Sequence, residues 1–175
     1  MIKQLSTKIV YENQWMRVRE DTVEFPNEHQ GIYGVVEKSD FALIIPFDGE
    51  HFYLVRQYRY PIQQFSLEFP QGKHEESVKI FPLDLAKAEL KEETGLVTKN
   101  IKEIGFLHEA PGYANQGFHI FLATELSQQG QKLDLTEEGL VIVKLSVSEF
   151  EQMIRIGEIT DAPTISAYTL FNLVI

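Results

Sequence analysis

The spacing of apolar residues changes period at Pro82, and that change limits the folds open to the chain. Before it, the apolar positions alternate or are β-branched. Lys8–Glu12, Met16–Phe25, Gly31–Glu37, Ala42–Pro46, His51–Tyr58 and Ser66–Phe69 read as strands. Asp48-Gly49 between two of them is a hairpin signal. From Pro82 to Thr94 the period is helical, with Pro82 suited to the first turn and Gly95 to the position past the end. Strand patterns return at Ile101–His108 and His119–Ala123. Helices are predicted over Val147–Arg155 and Ala162–Ile175. Repeats and low-complexity stretches are lacking. The reading is an α+β chain, an α/β/α sandwich in which helices flank a mixed sheet. Residues 1–40 are expected to be an N-terminal β arm that pairs with a second subunit, and residues 41–175 the domain proper.

Composition narrows the function classes. The net charge of -10 is the wrong sign for a surface that tracks nucleic-acid phosphates. An anionic small molecule would need local arginines or bound cations. The absence of cysteine excludes disulfides and thiolate-bound zinc. No apolar run approaches the ~18 residues of a membrane span, and the first residues, MIKQLSTKIVYEN, lack the apolar segment of a signal peptide. The expectation is a cytoplasmic enzyme.

The helix at 82–94 carries the chemistry. Glu89, Glu92 and Glu93 are three and four residues apart and share a face, while Leu83, Ala86 and Leu90 form an adjacent apolar stripe. Three carboxylates near a helix C-terminus repel one another and oppose the helix dipole. A divalent cation would relieve this, and hard oxygen ligands suit Mg²⁺ or Mn²⁺. Charge and periodicity alone fit that site and a solvated acidic face relieved by Lys87 and Lys91 equally well.

The run Gly72 … Ala88-Glu89-Leu90-Lys91-Glu92-Glu93-Thr94-Gly95-Leu96 resembles the Nudix box, G-x5-E-x7-R-E-U-x-E-E-x-G-U with U a bulky aliphatic, and matches its end at Glu89, Leu90, Glu92, Glu93, Gly95 and Leu96. Leu54-Val55-Arg56-Gln57-Tyr58-Arg59 with Leu67-Glu68-Phe69-Pro70-Gln71-Gly72 is similar to the "LVRQYR … ELPAG" run of the ADP-ribose pyrophosphatase branch. Ala110-Pro111-Gly112-Tyr113, Phe118–Ala123 and Gly157–Thr164 extend the likeness over nearly the whole chain.

The resemblance implies a metal-dependent hydrolase that cleaves the diphosphate linkage of a nucleoside-diphosphate compound, ADP-ribose or an ADP-sugar first among them, and that works as a homodimer. It implies metal ligation by Glu89, Glu92, Glu93 and the backbone carbonyl of Gln71. Glu92, Glu93 and Gln116 take catalytic roles. Arg56, Arg59, Glu68 and Pro111 bind substrate, the arginines because a planar guanidinium suits phosphate; a surface ion pair with Glu68 is the alternative for either. Tyr58 and Tyr113 fit base stacking or core packing. The histidines show no metal-cluster spacing.

The chain also departs from the box. The family's arginine is Ala88, its loop glutamate falls at Val78, and the spacing from Gly72 to Ala88 is longer. Gln116 stands where the branch often has a glutamate. His74, Glu75 and Glu76 in the altered loop are then further candidates for a base. These departures support a rival reading, a catalytically weak domain that binds an ADP-ribose-like ligand as a sensor or regulator.

Overall fold

The computed structural model describes residues 1–73, 80–130 and 139–175. Two sheets face each other across the main core. In one, the strand order is β7(Gln71–Gly72)-β4(Phe41–Pro46)-β9(Gly117–Gln128)-β8(Leu96–His108), with β4 and β9 parallel and the other pairs antiparallel. In the other, it is β10(Val141–Ser146)-β5(His51–Arg59)-β6(Gln64–Glu68). A third sheet, β1(Lys3–Glu12)-β2(Arg17–Glu24)-β3(Gln30–Glu37), stands apart. The helices are α1(Pro82–Thr94), α2(Val147–Arg155) and α3(Ala162–Val174). The fold is the predicted α/β/α sandwich with a mixed sheet and an N-terminal β arm.

The alternation of β4 divides the core. Leu43 and Ile45 face Phe52, Leu54, Leu67, Phe69 and Phe118, with Phe150 of α2 and Phe171 of α3 closing that side. Ala42 and Ile44 face the other way, onto Leu85, Ala86 and Leu90 of α1 and Phe121 of β9. A strand buried on both faces reads as a continuous apolar run, as Phe41–Pro46 does. On α1 the apolar stripe is Leu85, Ala86 and Leu90, because Leu83 lies one turn off the core and is exposed.

Several sequence expectations are corrected. The Asp48-Gly49 turn exists: Gly49 has φ 103° and Asp48 Oδ1 accepts the His51 N–H at 2.8 Å. It does not join a ladder of paired strands, since β4 and β5 belong to different sheets and the turn is flanked by the isolated Phe47–Phe52 bridge. Strand β8 begins at Leu96 rather than Ile101, β9 runs over Gly117–Gln128, and β10 and the two-residue β7 had no alternating signal of their own. The helices fall as predicted because their ends carry local chemistry. Gly95 closes α1 with φ 68°, and Ser146 with Glu149 forms a capping box on α2. None of the helices among the described residues is long and apolar enough to cross a membrane.

Helix α3 is tied to the strand region by one buried bond. The Thr164 hydroxyl accepts the Phe69 backbone N–H at 2.9 Å, and both residues are fully buried. Asp161 caps the same helix, accepting the Thr164 N–H at 2.9 Å. Thr164→Val keeps the side-chain shape but leaves a buried N–H unpaired. It is expected to cost about 1–3 kcal/mol of stability in urea denaturation; a loss below about 0.5 kcal/mol would show that the bond does not hold this junction.

Candidate active site

The chain leaves β6 through Phe69-Pro70 and enters β7 at Gln71-Gly72, and the carboxylates of α1 close on this short segment. Glu93 is 2% exposed, and its Oε2 accepts the Gln71 backbone N–H at 3.0 Å. Glu89, one turn earlier, lies over Gly72: a Cβ there would overlap the Glu89 carboxylate. The glycine of the box is therefore required by close approach. Glu92 is half-buried on the same helix. Two carboxylates thus converge on one backbone segment, and the third lies beside them in sequence.

A cleft of about 560 Å³ opens next to this segment. Gln71, Gly72, Arg59, Glu68, Gln116 and Asp161 line it, with Lys38, Lys73 and Glu109 among the other charged groups. One wall is a part-buried polar network around the buried Glu68. Arg59 Nε donates to Glu68 Oε1 at 2.9 Å, and its terminal nitrogen binds Glu68 Oε2. The Gln71 side-chain amide donates to Glu68 Oε2 at 2.8 Å and reaches Asp161 Oδ2 at 3.5 Å.

Burial opposes the charge on Glu68, but the Arg59 hydrogen bond and charge, with bonds from Ser66 and Gln71, hold its carboxyl below the usual range. Burial also opposes the Arg59 charge, and Glu68 outweighs it, raising the guanidinium further. Asp161 goes the other way. Burial and the Glu68 charge push its carboxyl up against the bonds from Thr164.

The predicted residues separate on this geometry. Gln71, Arg59, Glu68 and Gln116 meet in the cleft, and Glu89 and Glu93 meet at its Gln71–Gly72 edge. Arg56 does not join them. Three residues from Arg59 along β5, it lies on the opposite face of the strand, its guanidinium 4.1 Å from the Phe65 ring centre. Pro111 is exposed on the loop before β9. That loop is held by the arm, since Val36 N–H donates to the Tyr113 carbonyl at 2.8 Å. Tyr58 and Tyr113 are exposed, neither in the core nor lining the cleft. Gln116 is 3% exposed and its amide nitrogen donates to the Ser39 carbonyl at 2.6 Å. Val78, His74, Glu75 and Glu76 lie outside the described residues.

Asp161, Lys38 and Glu109 were missed by the sequence reading. For Asp161 a signal existed: an aspartate just before Ala162-Pro163 is a helix N-cap. Nothing local marks Lys38 or Glu109, which reach the cleft through tertiary packing.

Carboxylates, a backbone carbonyl and side-chain carbonyls are hard oxygen donors, the set that suits Mg²⁺ or Mn²⁺. Among the described residues no three acidic or histidine side chains are drawn together tightly enough to form a closed cage. The convergence of Glu89 and Glu93 on Gln71–Gly72 is an open arrangement that fits a metal shared with a ligand.

Comparison with known proteins places this geometry in context. A family model described as the nucleoside diphosphate sugar hydrolase N-terminal domain matches residues 2–36. An ADP-ribose pyrophosphatase of Bacillus subtilis (strain 168) is 28% identical, the match covering 98% of this chain and 92% of the relative. A methanol dehydrogenase activator of Bacillus methanolicus is 27% identical over the same shares of both chains. The crystal structure of an ADP compounds hydrolase superposes with a TM-score of 0.83 at 22% identity, covering 98% of this chain and 92% of its own, and so shares the fold.

The contact at Gly72 generates a test. In Gly72→Ala the new methyl meets the flexible end of Glu89, so the carboxylate moves and the backbone stays. The melting temperature is expected to stay within about 3 °C of wild type, while stabilisation by Mg²⁺ or Mn²⁺ shrinks. A fall of more than about 8 °C would show that the backbone yields instead.

Proposed function

From the premise that this chain is an ADP-ribose pyrophosphatase-like protein of Nudix type, we propose that it is a metal-dependent hydrolase of the diphosphate linkage in ADP-ribose or an ADP-sugar. The observation that carries the reading is the convergence of Glu89 and Glu93 on the Gln71–Gly72 segment, at the edge of a cleft containing Arg59. Water attacks one phosphorus, the bridging P–O bond breaks, and two phosphate monoesters leave: AMP and ribose 5-phosphate from ADP-ribose.

Glu89, Glu92, Glu93 and the Gln71 backbone carbonyl would hold Mg²⁺ or Mn²⁺, which when bound neutralises diphosphate charge and makes water more acidic. The protein's part is positioning. The Gln71 N–H fixes the Glu93 carboxylate, Gly72 leaves room for Glu89, and Glu92, half-buried where Glu93 is buried, takes a proton from water. Gln116 is an amide and takes no proton; its role is a polar contact. Arg59 is bound to Glu68 and offers its remaining N–H groups to the ligand.

A second reading, a weakly catalytic domain that binds an ADP-ribose-like ligand as a regulator, is favoured by the amide at Gln116, by Ala88 and by the likeness to the methanol dehydrogenase activator. Incubation with ADP-ribose, ADP-glucose and dinucleotides in Mg²⁺ or Mn²⁺, scoring phosphate-monoester products, separates the two. The hydrolase reading expects turnover that Glu93→Gln abolishes and a melting temperature that rises with metal in the wild type only. Binding of ADP-ribose in calorimetry without turnover would transfer the case to the regulator.

The homodimer belongs to the same proposal. Every residue of β1 is exposed, and Ile9, Val10, Tyr11 and Trp15 of the arm are each at least half exposed. An open strand edge with apolar neighbours favours pairing with a second copy. Light scattering at micromolar concentration is expected to give twice the chain mass of 20.2 kDa; a monomer mass would reject it.

A further inference from the structure

Two residues that line the cleft, Gln71 and Gln116, each carry a buried side-chain oxygen, Oε1, that no donor among the described residues reaches. Which end of each amide is the oxygen is fixed by its neighbours. The Gln116 nitrogen faces the Ser39 carbonyl at 2.6 Å, and turning the amide over would set oxygen against oxygen. The Gln71 nitrogen faces Glu68 at 2.8 Å and Asp161 at 3.5 Å, both acceptors. Each oxygen is therefore held as an acceptor, and an unpaired buried acceptor costs stability until a donor reaches it.

Neutral carbonyl oxygens repel the oxygens of an ionised phosphate. What satisfies them on an organic ligand is an O–H or N–H group. We propose that Gln71 and Gln116 form a specificity-determining pair that reads hydrogen-bond donors on the ligand away from its diphosphate, the hydroxyls of a terminal sugar or the exocyclic amine of a base. Both oxygens are screened from bulk solvent, so side chains of the wall shift to admit the donor. A ligand without the donor leaves the acceptors unpaired, which makes such a pair discriminate strongly. Gln71 holds the place of the alanine in the related "ELPAG" run, and Gln116 stands where that branch often has a glutamate.

The inference rests on the diphosphate-ligand reading above. Its test is calorimetry on the full chain, with and without Mg²⁺, using three uncleavable probes. These are α,β-methylene ADP-ribose, α,β-methylene ADP, which lacks the terminal sugar, and α,β-methylene IDP-ribose, which lacks the base amine. The wild type is expected to bind the first more tightly than one of the other two by about tenfold or more. Gln71→Ala and Gln116→Leu should each erase about threefold to tenfold of that preference. The weaker-binding probe tells which donor is read: α,β-methylene ADP points to the sugar, α,β-methylene IDP-ribose to the amine.

Equal affinity of the wild type for all three probes would overturn the pair's role while leaving the diphosphate reading intact, and needs no variant to fold. Loss of affinity for all three probes alike in the variants, or loss of Mg²⁺ response alone, would overturn it as well, the latter assigning the oxygens to a cation. Absence of binding by any probe would remove the diphosphate reading and this inference together.

Discussion

Glu93 keeps a carboxylate inside the protein by taking the Gln71 N–H as its partner, and much of the site's geometry follows from that bond. A carboxylate almost removed from water needs compensation. Here it comes from a backbone group whose own position is set by the two-residue strand β7 against β4. The bond thereby joins α1 to the sheet at the place where Gly72 lets Glu89 approach. Helix, strand and cleft share one fixed point, and a shift of α1 along its axis would move both carboxylates and the wall of the cleft.

The cleft sets basic groups among acids in a chain whose net charge is -10. The Glu68 carboxylate is bound to Arg59, and burial with the Glu68 charge raises the Asp161 carboxyl above its ordinary range. Lys38, Lys73, Glu109 and Asp161 make up the rest of the cleft's charged lining. Net charge for the whole chain says little about a pocket in which basic side chains stand among the acids.

The sequence made the elements legible where the signal was local. Pro82 and Gly95 bound α1, and Ser146 with Glu149 starts α2, because caps act within one turn of the residues that make them. Strand partnership was not legible, because it depends on residues far away. Asp48-Gly49 makes a turn whatever follows, while β5 joins the second sheet through its pairing with β6 and β10, where Phe52 packs against Phe69 and Phe150. The same limit governed the arginines. Period-two alternation says that Arg56 and Arg59 lie on opposite faces, but which face meets the cleft is decided by Glu68 on β6. The acidic trio was readable as a pattern; that Glu93 turns inward to Gln71 was not.

The bond from Phe69 to Thr164 spans 95 residues, and β4 pairs with β9 across a similar stretch of chain. Contacts so distant in sequence are slow to close, because loop entropy is lost before the contact rewards it. During synthesis, the strand that carries Gln71 leaves the ribosome long before the helix that anchors it. A nascent chain that stops before Asp161 already contains all three α1 glutamates yet lacks the helix cap and Thr164. The segment that meets the α1 carboxylates is thus complete in sequence before the helix that holds the preceding strand exit exists.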